Sequence, residues 1–190
     1  PDGSICGEPL DRKGWHARQC GVGFARAAHH DSARDWHARR HRELTGHAVV
    51  SEQRVPAWDR VDPVSGALEE ARLDLATRDA VAGNPIFVDW SITCEYSLYA
   101  PRRLARSNKD GLAAAQQVAV KRVRYPPSGG DLVPLVFESG GRPSDEAVTF
   151  VRCYGHGHDD AERSTVIGAF WRQLSRLLRI GTADMVRGAL

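Results

Sequence analysis

The first regular stretch of the chain is polar. From Ala27 to Leu44 neither Gly nor Pro interrupts it, Trp36 and Leu44 are its large apolar residues, and Gly46 follows as a stop, which predicts a helix. AVVSEQRVPAW, residues 48 to 58, alternates imperfectly and is expected to be a strand. DRVDPVSGALEE, residues 59 to 70, carries Pro63 and Gly66 and reads as a loop or hairpin tip. In ARLDLAT, residues 71 to 77, Leu73 and Leu75 fall on one side and Arg72, Asp74 and Ala76 on the other, as in a strand. Gly83, Asn84 and Pro85 make a turn into IFVDWSIT, residues 86 to 93, whose nearly continuous apolar run suits a strand covered on both faces. These two strands could pair as a hairpin.

The second half opens on an Ala-rich segment from Leu112 to Tyr125 that favours helix and is ended by Pro126 and Pro127. LVPLVFES, residues 132 to 139, is a further strand, with Pro134 suggesting an edge or bulge position. A less regular segment follows, containing Gly140, Gly141 and GHGHDD at 155 to 160. Val166, Ile167, Phe170, Trp171, Leu174, Leu177 and Leu178 then recur at helical spacing, which predicts a long amphipathic helix broken at Gly181. The order helix, three strands, helix, strand, helix predicts an α/β domain over residues 25 to 190, with a central mixed β-sheet flanked by helices. Residues 1 to 24 are Gly-rich and irregular and read as a small appended module.

At 190 residues the chain suits one core with an appendage, and 42% hydrophobic with 26% charged residues is an ordinary globular composition. No apolar run approaches the roughly 20 residues of a membrane-spanning helix. The start PDGSICGEPL has no basic n-region, apolar h-region or initiator Met, so a fragment of a longer, intracellular protein is expected. Cys6, Cys20, Cys94 and Cys153 do not form the pattern of a secreted disulfide framework, and Cys94 and Cys153 read as small buried hydrophobes.

Net charge is only +2, yet the cations cluster: Arg34, Arg39, Arg40 and Arg42; Arg102, Arg103, Arg106 and Lys109; Lys121, Arg122 and Arg124. Such clusters meet phosphate backbones or form solvated helix faces, and both readings stand. GHGHDD likewise reads as a metal-binding cluster or, more simply, as a solvated loop before a helix that Asp caps.

Candidate chemistry begins with Asp89, a carboxylate in the middle of the apolar run 86 to 93. Burying it ionised costs several kcal/mol unless something compensates it. Asp74 lies on the preceding predicted strand, and neighbouring strands are about 4.8 Å apart, so the two carboxylates can share one cation. Oxygen ligands of this kind select Mg²⁺. Lys121 shares a helix stripe with Ala114, Val118 and Tyr125, which either aims it inward or lets it snorkel at the surface. Two carboxylates, a divalent cation and a lysine outline a phosphodiester hydrolysis site.

The order LD (73 to 74), VDWSIT (88 to 93), a helix ending KRVRY (121 to 125) and LVPLVFESGG (132 to 141) resembles the restriction-like endonuclease domain of the PD-(D/E)XK superfamily. More narrowly, it is similar to the version downstream of the reverse transcriptase in site-specific non-LTR retrotransposons. There a zinc-finger-like CxxC…HxxxC segment leads into an RHD-like helix start, and this chain offers ICGEPLDRKGWHARQC (5 to 20) before HHDSARD (29 to 35). The similarity covers most of residues 4 to 140.

The resemblance implies a restriction-endonuclease-like fold, Asp74 and Asp89 as Mg²⁺ (or Mn²⁺) ligands, and Lys121 as an active-site lysine moved from strand to helix. It places Tyr125 beside the site, with Glu52 or Asp31 as helpers. It further implies nicking of target DNA in the nucleus, leaving a 3′-hydroxyl that primes reverse transcription, with a reverse transcriptase domain and element RNA as partners. Arg102, Arg103, Arg106, Arg122 and Arg124 are the expected DNA contacts. Leu73 stands in place of the motif's proline, and Ser91 where simpler members keep the lysine. Gly3 occupies the place of the first finger cysteine, which leaves Cys6, His16 and Cys20 as zinc ligands and His29 or His30 to complete four; a decayed finger is the alternative. A domain that keeps the fold and binds nucleic acid without catalysis is the second functional reading.

Overall fold

A computed structural model of the chain describes residues 16, 20, 25–95 and 109–187, apart from the side chain of Ser128. Cys6, Arg102, Arg103 and Arg106 therefore lie outside the described residues. The fold is mixed α/β. Helix α1 (Ala25–Thr45) leads to β1 (Val50–Arg54), a single 3₁₀ turn (Pro56–Trp58), a small hairpin of β2 (Arg60–Val61) and β3 (Leu68–Glu69), and then β4 (Arg72–Arg78) and β5 (Pro85–Thr93). Helix α2 (Leu112–Arg124), β6 (Leu132–Glu138), α3 (Asp145–Arg152) and α4 (Asp160–Arg187) complete it.

Four strands form one mixed sheet in the order β1-β4-β5-β6. β4 and β5 pair antiparallel, from Leu75↔Val88 to Arg78↔Pro85, as the expected hairpin. β6 returns parallel to β5, after the crossover through α2, and pairs along its whole length from Phe87↔Leu132 to Thr93↔Glu138. β6 is an edge strand, which is where its Pro134 can be accommodated. The opposite edge, β1, is shorter than its sequence pattern suggests, because Pro56 turns the chain into the 3₁₀ segment. Within β1, Glu52 has a left-handed backbone with φ 56°, unusual for a residue with a side chain.

Alternation along β6 divides the helices into two layers. Leu135 and Phe137 join the large core with Val88 and Trp90 of β5, Phe150 and Val151 of α3, and Phe170, Leu174 and Leu178 of α4. Val136 points to the other face and packs on Ala114 and Val118 of α2. α2 thus covers the sheet alone on one side, while α1, α3 and α4 cover it on the other.

Three sequence expectations are corrected. Helix α4 runs through Gly181 without a break. That glycine serves packing instead: a Cβ there would sit 2.0 Å from His29 Cδ2, so its absence lets α1 approach α4. The segment expected to be irregular contains α3, capped by Ser144, whose Oγ accepts the Ala147 N–H at 3.2 Å. Cys94 and Cys153 are half-buried rather than buried. In the GHGHDD loop Asp159 accepts the Glu162 N–H at 2.9 Å, the capping role expected of an Asp at the start of α4. Gly181→Ala should cost about 1–3 kcal/mol by forcing the His29 ring aside, read as a lower urea midpoint at constant m-value.

Candidate active site

The pairing of β4 with β5 stops at Leu75↔Val88, whereas β4 stays paired with β1 to Arg72 and β5 with β6 to Thr93. The two central strands therefore part at the next position, where Asp74 and Asp89 stand opposite each other. Across this fork the carboxylate of Asp74 replaces the missing ladder partner: its Oδ2 accepts the Trp90 N–H at 2.6 Å. The carboxyls of Asp74 and Asp89 are close enough to share a hydrogen bond.

Lys121 enters from α2. It is 8% exposed, aligned with the buried Ala114 and Val118, and its Nζ is ion-paired with Asp89 Oδ2 and lies 3.5 Å from the Trp90 carbonyl. The inward orientation holds, and this lysine is a partner that compensates Asp89. Burial raises the Asp89 carboxyl to about 6, helped by the neighbouring charge of Asp74 and opposed by Lys121.

His30 approaches Asp74 from the opposite side. Its Nε2 lies 3.5 Å from Asp74 Oδ1 and 3.3 Å from the Trp90 carbonyl, and its Nδ1 lies 3.3 Å from Asp31 Oδ1. The hydrogen bond to Asp74 leads the effects that raise His30 to about 9. Burial by itself would raise Asp74, but the bond and charge of His30 outweigh it, and the carboxyl is held below its ordinary value. Arg34 extends the network, pairing with Asp31 at 3.2 Å and with Asp35 and Glu52. Glu52 and Asp31 thus sit in an outer ring of charge, not against Asp89.

Tyr125, at the end of α2, packs on Trp58 with ring centroids 5.3 Å apart and has the Arg124 guanidinium over its ring at 4.9 Å. Burial raises its hydroxyl, and the charges of Asp89 and Asp74 add to the shift, so it flanks the pair. Arg122 is exposed but tied to Glu146 at 3.0 Å, and Arg124 donates to the Trp58 carbonyl, so neither presents an unengaged guanidinium to DNA.

Two adjacent carboxylates, with the Trp90 carbonyl beside them, make an all-oxygen donor set that fits a small hard cation such as Mg²⁺ or Mn²⁺. Among the described residues no three His, Cys, Asp or Glu side chains converge as a metal cluster. His30, expected as a zinc ligand with Cys6, His16 and Cys20, turns its ring nitrogens to Asp31, Asp74 and the Trp90 carbonyl.

Sequence reasoning gave no weight to His37 and His41. Both are 1% exposed on α1, in the row His29, Ala33, His37, His41, whose spacing of four was the available signal. No protein-family model matches the chain, and no curated protein matches it.

Proposed function

We propose that this chain contains a metal-dependent endodeoxyribonuclease domain of restriction-endonuclease-like fold from a retroelement-type protein. In this reading it nicks DNA by phosphodiester hydrolysis to prime reverse transcription, in the nucleus, with a reverse transcriptase domain and element RNA as partners. The observation that carries it is the convergence of Asp74, Asp89 and Lys121 from three separate elements at the fork between β4 and β5.

Asp74 and Asp89 would hold Mg²⁺ or Mn²⁺. When bound, the ion polarises a phosphoryl oxygen and lowers the pKa of the attacking water. Lys121 supplies a fixed positive charge that orients the water or offsets charge developing on the phosphoryl oxygens. Because these side chains are nearly excluded from solvent, their charges act with less screening than at the surface. Tyr125 borders the pair, and Arg122 and Arg124 would have to exchange their present partners for phosphates. Cys6, His16 and Cys20 would form a zinc module preceding the domain.

Plasmid nicking with Mg²⁺ or Mn²⁺ tests the proposal. Lys121→Met should slow nicking about 10²–10³-fold without changing DNA binding, the usual effect of removing a transition-state charge partner. A chain that nicks no plasmid in either metal rules the enzyme out. A second reading, a silent nucleic-acid-binding domain, draws on the engagement of both carboxylates by cationic side chains of the chain itself, Asp74 by His30 and Asp89 by Lys121. It predicts band shifts that weaken steeply with salt and no nicking.

A further inference from the structure

Trp90 meets the candidate site only through its main chain, while its side chain is turned the other way. The peptide N–H binds Asp74, and the carbonyl receives His30 and lies within reach of Lys121. The indole is 2% exposed, stacked on Phe137 at 4.6 Å, and its Nε1–H donates to His37 Nδ1 at 2.9 Å. His37 Nε2 meets Tyr154 Oη at 2.7 Å, and the same oxygen meets His41 Nδ1 at 2.9 Å.

An indole nitrogen is a donor only, which fixes the direction of the whole chain. His37 Nδ1 accepts, so Nε2 carries its proton and donates to Tyr154. The Tyr154 hydroxyl then donates to His41 Nδ1, so His41 carries its proton on Nε2. That last N–H has no partner at full hydrogen-bond geometry among the described residues and lies near the Arg78 carbonyl. His30 and His37 are seven residues apart, two turns of α1, and so face the same way. The helix thus grips Trp90 at two points, its carbonyl and its indole.

We propose that Trp90 is a positioning residue for the Asp74, Asp89 and Lys121 cluster, its main chain held in register by the indole bond to His37 and the Tyr154–His41 chain behind it. The proposal rests on the reading of that cluster as a metal-binding active site. Two variants of similar bulk separate the bond from simple packing. His37→Asn keeps an acceptor where Nδ1 stands, and His37→Leu removes it.

Manganese binding by titration calorimetry is the primary readout, with kcat and KM for plasmid nicking beside it. His37→Leu should weaken Mn²⁺ binding about 10- to 100-fold, the usual cost of losing an outer-sphere support. It should lower kcat while leaving KM for DNA alone, and His37→Asn should restore both. Nitrogen NMR of the parent should show His37 and His41 as neutral Nε2–H tautomers. Equal Mn²⁺ affinity in His37→Leu and the parent, equal losses in the two folded variants, or an Nδ1–H tautomer at His37 each overturns the proposal. A parent that binds Mn²⁺ but does not nick removes the endonuclease reading alone, and the affinity ratio still decides the role of Trp90. A parent that binds no Mn²⁺ overturns both. Should neither variant fold, the tautomers of the parent decide.

Discussion

Asp89→Ala should reduce plasmid nicking by on the order of 10³-fold or more, beyond the loss expected for Lys121→Met, because two contributions vanish together. In the proposed site Asp89 would be one of the two carboxylates that hold the metal, and it is also the ion-pair partner of Lys121. Its removal leaves a buried ammonium without its ion-pair partner, 3.5 Å from the Trp90 carbonyl. Breaking a buried pair from one side typically costs about 3–5 kcal/mol, so the variant should also melt at lower temperature. The double replacement Asp89→Ala with Lys121→Met should recover much of that stability and none of the activity. Recovery of nicking in the double variant, or parental nicking by Asp89→Ala, would place the chemistry elsewhere.

Acid should unfold this protein well above the pH at which ordinary carboxylates titrate. Burial holds His37 at about 3 and His41 at about 4, far below the ordinary value of 6.5, and it also lowers His29. These rings are neutral in the folded state, whereas the unfolded chain takes up protons near pH 6.5. Their contribution is therefore complete above pH 6.5 and drains away as pH falls towards 4 and 3, by on the order of several kcal/mol in total. Asp89 works in the opposite sense, because its raised carboxyl gains a proton in the folded state first, between about pH 6 and its ordinary value of 3.8. Two histidine shifts, each larger than the one opposing carboxyl shift, leave a net loss. His30, raised to about 9, adds stability as pH falls from 9 to 6.5 and is saturated below that. Urea denaturation at pH 6.5, 5.5, 4.5 and 4 should therefore show ΔG falling at each step with m unchanged, and a flat profile over that range would contradict the buried neutral pair.

The meeting of Asp74, Asp89 and Lys121 was more legible in the sequence than the scaffold around it. Asp89 stood out because a charge interrupts an apolar run, and Asp74 because the alternation of residues 71 to 77 placed it on a strand one turn away. The antiparallel register then fixed their meeting. Lys121 could be placed on a stripe with Ala114 and Val118, but its inward orientation depended on α2 lying against β6, a tertiary fact.

What stayed hidden was hidden for physical reasons. α1 carries no aliphatic stripe: its buried row is mostly histidine, a residue that hydropathy counts as polar, and Trp90 and Tyr154 engage both nitrogens of His37 and Nδ1 of His41 in the core. Gly181 looked like a helix breaker because the close approach of His29 cannot be seen along one helix. α3 is only eight residues long, and the glycines on either side masked its Ser144 cap. The role of His30 was missed as well, since a histidine before an aspartate gives no hint that both its nitrogens end on carboxylates.

The two rims of the sheet carry their own interruptions. β1 has the left-handed Glu52, and β6 has Pro134, which brings no amide hydrogen to the outermost ladder. An incoming strand would meet a kink on one side and a missing donor on the other, so growth of the sheet by a fifth strand is disfavoured at both ends. Self-association, if it occurs at working concentrations, is therefore expected through helical surfaces rather than through continued β-pairing.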